Sequence, residues 1–105
     1  TYSTEDLTRE IMKALEELKD CEGIIIFTDL MGGTPFNVSA QIGHGKDNIR
    51  IVAGTNLPML VEIVMSRKFM DDLDGLVDSV LDTGREQIMK YEFKQVVQEE
   101  SEDGI

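Results

Sequence analysis

One stretch of the chain, Gly23 to Asn37, constrains the fold more than any other part of the sequence. It begins with a short apolar run, Ile24–Phe27, that is rich in β-branched side chains. Such a run predicts a strand of a parallel sheet that is covered on both faces. Asp29 follows the run, so a carboxylate is expected at the carboxyl end of this strand. Open α/β sheets bind their ligands at that edge.

The residues after Asp29 predict a tight turn and the start of a helix. Gly32 and Gly33 permit backbone conformations that other residues avoid. Thr34 is expected to cap the helix with its hydroxyl group, and Pro35 suits the first helical position, where no backbone N–H is needed. Because a helix N-terminus attracts anions, the sequence predicts an anion-binding site beside Asp29.

Helical and strand patterns alternate along the rest of the chain. A first helix begins at Ser3, where Asp6 completes a capping pair. On the apolar stripe of the last helix, Gly84 lowers helix propensity, which predicts close packing against a neighbour. The later elements are a helix from about Pro35 to Ile42, a strand from Asn48 to Ala53, a helix with Pro58 near its start, and a long helix from Leu73 to Ile88. This order predicts an α/β fold, with a mainly parallel sheet flanked by helices on both faces.

The end of the chain is expected to add one short strand and a tail. Tyr91 to Lys94 alternates apolar and polar residues, which predicts an edge strand. Residues 99–105 are acidic and polar, and we expect them to be mobile. The chain therefore divides into one domain, residues 1–98, and the tail. The two apolar strands need further strands at their edges, which indicates that N-terminal strands are missing.

Composition excludes several classes of function. The formal net charge of −11 leaves no basic surface for nucleic acid or for an anionic membrane, although it is compatible with a basic protein partner. No apolar run reaches the length of a membrane span, and no residue spacing is typical of metal ligands. The single cysteine, Cys21, cannot form an internal disulfide, which fits a reducing cytoplasm.

Three motifs resemble those of one known family, the mannose-family IIA domains of the bacterial sugar phosphotransferase system. The first is TDLMGGTPFN at Thr28–Asn37, the second is VAGTNLPMLVE at Val52–Glu62, and the third is TGRE at Thr83–Glu86. The motifs stand in the family's order and with similar spacing. The resemblance therefore covers roughly residues 3–90.

The resemblance implies a phosphoryl carrier. In such domains, a histidine just after the first strand receives the phosphoryl group from the histidine phosphocarrier protein and passes it to a IIB domain or subunit. The sugar is bound by the membrane permease, no dissociable cofactor is needed, and the expected location is the cytoplasm. This chain begins at Thr1, directly before a helix. We therefore expect a βαβ opening of about 30 to 40 residues, with the phosphorylated histidine, to lie upstream.

The resemblance also implies a larger sheet and a second copy of the chain. The family fold has four parallel strands and one antiparallel strand that is donated across a homodimer. Tyr91–Val97 is the candidate for this exchanged strand.

The resemblance assigns roles to the residues of the first motif. Asp29 is expected to orient the phosphorylated imidazole and fix its tautomer. Gly32, Gly33 and Thr34 are expected to hold the phosphate through backbone N–H groups and a hydroxyl. The residues alone leave another interpretation open, in which Asp29 ends a strand and bonds turn amides while the others form a turn and a cap.

The second motif is expected to contribute to the lip of the same cleft. The predicted lip residues are Met31, Asn56 and Leu57. Met31, Leu57 and Met59 suit either an apolar rim for a partner protein or core packing, and we expect two of these three in the core.

His44 is the only histidine in the chain, and glycines flank it on both sides. It is expected at the C-terminal end of the helix that starts near Thr34. Because a helix rises about 1.5 Å per residue, this position is far from Asp29. We therefore interpret His44 as an exposed cap residue and not as the phosphoacceptor.

Two other functions remain open on the sequence. One is the phosphotransfer subunit of a dihydroxyacetone kinase, which uses a similar domain and would be marked by neighbouring fused domains. The other is a non-catalytic regulatory module that binds the phosphocarrier. An upstream strand in the same reading frame would count against the second.

Overall fold

The computed structural model describes residues 3–94 of the chain. In this part the elements follow the order α1 (Thr4–Glu17), β1 (Ile24–Phe27), α2 (Thr34–Gly43), β2 (Ile49–Val52), α3 (Leu57–Ser66) and α4 (Leu73–Glu86). These are the helices and strands that the patterns predict over residues 3–88, with ends that differ by one or two residues.

The start of α1 confirms the predicted capping pair. Ser3 Oγ accepts a hydrogen bond from the backbone N–H of Asp6 at 3.0 Å. In return, Asp6 Oδ2 accepts one from the backbone N–H of Ser3 at 3.2 Å. The pair satisfies N–H groups that the first turn of a helix leaves without partners.

β1 and β2 lie side by side in parallel, and α2 makes the crossover that a parallel pair requires. Ile24 pairs with Ile49, and Phe27 pairs with Val52. At the carboxyl end, the N–H of Thr28 donates to the carbonyl of Val52 at 2.7 Å. The loops that follow the two strands therefore start at the same edge of the sheet.

The side chains of β1 are less buried than the sequence predicts. All four, Ile24–Phe27, are half-buried and none is fully buried. Within residues 3–94 the sheet has two strands, which leaves each strand with one edge that has no neighbouring strand. The burial of a strand depends on the strands and helices beside it, which its own apolar sequence does not specify.

Helices pack on both faces of the sheet, which confirms the predicted α/β architecture. On one face, α2 lies against β2, where a Cβ added to Gly43 would be 3.2 Å from Ile49 Cγ2. α1 packs against α2 on this side. On the other face, α3 and α4 pack against each other and against Val52, whose side chain points opposite to that of Ile49.

The buried core lies between β2, α3 and α4. Each element contributes one buried side chain to it: Val52, Met59 and Val80. Gly84 is also buried, and a Cβ added there would stand 2.5 Å from both Cγ and Sδ of Met59. The close packing predicted for Gly84 is therefore confirmed, and the neighbour is α3.

Polar groups connect α4 to the elements around it. Glu62 Oε2 accepts hydrogen bonds from Ser66 Oγ at 2.6 Å and from Ser79 Oγ at 2.8 Å, which joins α3 to α4. These two hydroxyl groups, Ser66 first, hold the pKa of Glu62 below its ordinary value. Arg50 Nε donates to Asp74 Oδ1 at 2.6 Å, which ties β2 to the first turn of α4 and lowers the pKa of Asp74.

The residues after α4 form no strand as far as Lys94. The edge strand predicted for Tyr91 to Lys94 is therefore wrong within the described residues, where these residues pair with neither β1 nor β2. The rings of Tyr91 and Phe93 meet edge to face, with centroids 4.9 Å apart, and both side chains are exposed. The rest of the Tyr91–Val97 segment and the tail lie outside the described residues.

Candidate functional site

Two loops are joined at the carboxyl edge of the sheet. The N–H of Gly54 donates to the carbonyl of Asp29 at 2.9 Å, and the N–H of Thr55 donates to the carbonyl of Thr28 at 3.1 Å. Thr55 Oγ1 adds a hydrogen bond of 2.6 Å to the same Thr28 carbonyl. These bonds fix the backbone of Asp29 although its side chain is exposed.

The carboxylate of Asp29 is only partly used by the turn. Oδ1 accepts a hydrogen bond from the backbone N–H of Leu30 at 2.7 Å. Within residues 3–94, Oδ2 accepts none. One oxygen is therefore fixed by the backbone, and the other can accept a hydrogen bond from a donor such as an imidazole N–H.

The turn after Asp29 has the backbone that its glycines predict. Gly32 has a φ of +86°, a left-handed conformation that glycine adopts without strain. The side-chain amide of Asn37 donates to the Gly32 carbonyl at 3.0 Å, which ties the first turn of α2 to the loop. The sequence pattern predicts no role for Asn37, whose only signal is its place at the end of the first motif.

The start of α2 corrects the predicted cap by one residue. Gly33 is the N-cap, and it makes no side-chain capping hydrogen bond because it has no side chain. Thr34 is the first helical residue and not the cap, and Pro35 is the second. The first helical hydrogen bond runs from the N–H of Asn37 to the carbonyl of Gly33 at 2.8 Å.

The missing cap leaves backbone donors free at this end of α2. The N–H groups of Thr34 and Phe36 have no hydrogen-bond partner among residues 3–94. Pro35 has no N–H, and the Thr34 side chain is exposed at the same turn. Free N–H groups and the positive end of the helix dipole favour an anion, by about 0.3–1 kcal/mol per charge at an exposed site.

In the loop that follows β2, the side chain of Asn56 has a mainly structural role. Asn56 is the N-cap of α3: its Oδ1 accepts from the N–H of Met59 at 3.3 Å, and its Nδ2 donates to the carbonyl of Gly84 at 3.1 Å. It is half-buried. Both ends of its side-chain amide are therefore occupied by α3 and α4.

The apolar residues of the two loops lie on the surface more often than the sequence predicts. Met59 is 3% exposed and belongs to the core, whereas Met31 is 79% and Leu57 is 72% exposed. The expectation that two of these three lie in the core is therefore wrong. Residue hydrophobicity does not distinguish an inward helix position such as Met59 from loop and helix-end positions that face solvent. Leu30, also exposed, adds a third apolar side chain at this edge.

His44 lies at the far end of α2 from this site. It is the C-cap residue of the helix, its side chain is exposed, and the helix between it and Gly33 has 10 residues. At 1.5 Å per residue such a helix is about 15 Å long. The structure therefore does not bring His44 together with Asp29.

The described part of the chain shows neither a metal cluster nor a membrane span. Residues 3–94 hold no group of three or more potential metal ligands. Over the same residues, no helix is both long and apolar enough to cross a bilayer.

Comparison with known proteins identifies relatives. The PTS system mannose-specific EIIAB component of Escherichia coli K12 is 34% identical over 94 residues, which are 90% of this chain and 29% of that protein. The PTS system sorbose-specific EIIA component of Lacticaseibacillus casei is 41% identical over 66 residues, 63% of this chain and 47% of that protein. The chain thus spans less than half the length of either relative.

Solved structures agree with these relatives. Phosphotransferase system component EIIA from Streptococcus agalactiae aligns with a TM-score of 0.72 and 37% identity, over 84% of this chain and 67% of that one. The mannose/sorbose specific IIA subunit from Enterococcus faecalis aligns with a TM-score of 0.81 over 91% of this chain and 70% of that one. At 23% identity, the second supports the fold alone.

The family model EIIA-man, described as "PTS system fructose IIA component", matches residues 1–81, which is most of the chain. The relatives and the 37%-identical structure belong to the same system. The chain therefore belongs to this family of IIA components of the phosphotransferase system.

Proposed function

We propose that the chain is the main part of a cytoplasmic phosphoryl-carrier domain of a sugar phosphotransferase system. The domain takes a phosphoryl group from the histidine phosphocarrier protein and passes it to a IIB domain or subunit. The observation that carries this proposal is the placement of Asp29 next to the uncapped start of α2. The Asp29 carboxylate can orient a nucleophile, and the free N–H groups at the start of α2 can hold an anion.

In the proposed reaction, Asp29 acts on a histidine imidazole. Its Oδ2 accepts the N–H of one ring nitrogen, which fixes the tautomer and leaves the lone pair of the other nitrogen free. That lone pair forms a new P–N bond as the P–N bond of the donor phosphohistidine breaks. Transfer to IIB reverses the roles, with the domain's phosphohistidine as the donor.

The negative charge of the moving phosphoryl group falls on its non-bridging oxygens. The free N–H groups of Thr34 and Phe36, and the Thr34 hydroxyl, are the proposed donors to these oxygens. Gly32 and Gly33 let the backbone approach the phosphate closely because they have no side chains. Met31, Leu57 and Asn56 form the proposed lip of this cleft.

The phosphoacceptor in this proposal is a histidine other than His44 and lies upstream of Thr1. His44 stands at the opposite end of α2 from the free N–H groups, and α2 is too long for its imidazole to reach Asp29. We also propose that the active domain is a homodimer, with Tyr91–Val97 exchanged between copies. The exposed side chains of Tyr91 and Phe93 support an exchanged segment, because no strand of their own chain uses them within residues 3–94.

A phosphotransfer assay on a longer version of the domain, which includes the upstream histidine, tests this function. With phosphoenolpyruvate, enzyme I and the phosphocarrier supplied, Asp29→Asn should slow phosphorylation by roughly 10- to 100-fold, the usual loss when a group that orients an imidazole is removed. The matched control is Asp78→Asn, because Asp78 is also an exposed aspartate but lies on α4, and this change should leave the rate unchanged. Equal rates for the two variants would refute the role of Asp29.

A further inference from the structure

The turn between Asp29 and α2 has little packing to hold it in place. A Cβ added to Gly32 would meet no atom of residues 3–94 within 4 Å. The three atoms nearest to a Cβ added at Gly33 belong to Leu30 and Pro35, which are its near neighbours in the chain. Two consecutive glycines also have a wide choice of backbone conformations. The shape of this turn therefore depends on hydrogen bonds.

Asn37 makes two of these hydrogen bonds, to successive peptide groups. Its side-chain amide donates to the Gly32 carbonyl at 3.0 Å, and its backbone N–H donates to the Gly33 carbonyl at 2.8 Å. The C=O and N–H of one trans peptide group are coplanar and point in opposite directions. Because the Gly33 carbonyl points along α2 to Asn37, the N–H of Thr34 in the same peptide group points out of the helix start. This N–H is one of the proposed phosphate donors.

The other peptide group connects Asn37 to Asp29. The carbonyl of the Gly32–Gly33 peptide group accepts from Asn37, and its N–H donates to the carbonyl of Leu30 at 3.2 Å. The N–H of Leu30 in turn donates to Asp29 Oδ1 at 2.7 Å. A series of hydrogen bonds therefore runs through the turn, from the carboxylate of Asp29 to the side chain of Asn37.

We propose that Asn37 is a positioning residue for phosphoryl transfer, because its side chain fixes the Asp29 carboxylate relative to the free N–H groups at the start of α2. The inference rests on the proposed function, in which the carboxylate orients an imidazole and the N–H groups hold the phosphoryl oxygens. Both must meet the same phosphohistidine, and a misplacement of about 1 Å can cost about 100-fold in rate. Without the Asn37 amide, the Gly32 carbonyl has no other partner among residues 3–94, and the two glycines are free to rotate.

Single-turnover transfer from the phosphorylated phosphocarrier to the longer version of the domain, which includes the proposed upstream histidine, tests this inference. Asn37→Leu removes the amide donor, keeps a similar size and adds no charge. It should lower the rate at saturating phosphocarrier at least about tenfold. The phosphocarrier concentration that gives half of this rate should not change, because the side chain acts on the turn and not on the partner. The matched control is Asn48→Leu, because Asn48 is also exposed but lies before β2, at the opposite edge of the sheet. This control should keep the wild-type rate.

A purely structural role for Asn37 predicts a different result. Asn37→Leu would then lower Tm in circular dichroism, while the folded protein would transfer phosphate at the wild-type rate, and this outcome would overturn the inference. A higher half-saturating concentration with an unchanged maximal rate would also overturn it, because Asn37 would then contact the phosphocarrier. Asn37→Gln retains an amide donor and should recover part of the lost rate, and a Gln variant no faster than the Leu variant counts against the positioning role.

The same assay separates this inference from the proposed function. If Asp29→Asn slows the transfer and Asn37→Leu does not, the positioning role of Asn37 is wrong and the phosphotransfer function stands. If the wild-type longer version accepts no phosphate, both are wrong.

Discussion

Gly84 is the position where a single methyl group should test the packing of α3 on α4. In Gly84→Ala, the new Cβ would lie 2.5 Å from Cγ and Sδ of Met59, so the two helices or the Met59 side chain must move. Met59 is 3% exposed and has little room to do so. Its own N–H is held by Asn56, which also holds the Gly84 carbonyl, so a shift at Met59 also disturbs the cap of α3.

Two effects of opposite sign decide the outcome at Gly84. Alanine favours a helix over glycine by about 1 kcal/mol. Forcing an extra carbon into a packed core costs about 1–3 kcal/mol. Since both nearest atoms belong to the middle of a buried side chain, we expect the cost at its upper end and a net loss of about 1–2 kcal/mol. For a domain of about 100 residues, that lowers Tm by about 4–16 °C.

A double-mutant cycle measured by urea denaturation checks this reasoning. In a Met59→Ala background the clash is removed, so Gly84→Ala should then be neutral or stabilise the fold by up to about 1 kcal/mol. Asp78→Ala, at an exposed position of α4, is the control for helix propensity alone. If Gly84→Ala stabilises the protein equally in both backgrounds, the close approach of α3 and α4 at this point is refuted.

Two further predictions concern pH and the site loop. The pKa of Glu62 is lowered from its ordinary value of 4.5, so ionised Glu62 stabilises the fold above about pH 4.5 and loses this contribution as the pH falls through the lowered value. Glu62→Gln should therefore have a lower free energy of unfolding than wild type at pH 7 in urea denaturation, and the difference should narrow as the pH falls below 4.5. A difference that stays constant with pH would contradict this. Gly32→Ala forces alanine to a φ of +86°, although there is open space for its side chain. The same assay should therefore show a free energy of unfolding lower by about 1 kcal/mol. An unchanged free energy of unfolding would contradict the left-handed conformation of this turn.

The sequence predicts local features of the fold well where neighbouring residues decide them. The capping pair of Ser3 and Asp6 lies within one helical turn, and the position of Asp29 follows from the end of an apolar run. Close packing at Gly84 is predictable because a glycine weakens the helix and, on an apolar stripe, leaves space that a neighbouring side chain can fill. Each of these inferences needs only a few residues of context.

Features that depend on distant residues do not follow from local patterns. The burial of β1 is set by what lies on its edges and faces, which its own four residues do not specify. Thr55 joins the site through a hydrogen bond to Thr28, 27 residues earlier in the chain, and no local pattern indicates it. The division of Met31, Leu57 and Met59 between surface and core depends on where α3 meets α4, although all three side chains are similarly apolar.

The most direct test of the proposed function is to locate the phosphoryl group. The 105-residue chain and a longer version that includes the proposed upstream histidine are each incubated with phosphoenolpyruvate, enzyme I and the phosphocarrier, and acid-labile phosphate is mapped by mass spectrometry. We expect label on the upstream histidine of the longer version and none on the shorter chain. Label on His44 of the 105-residue chain would contradict the assignment of the site to Asp29 and the start of α2.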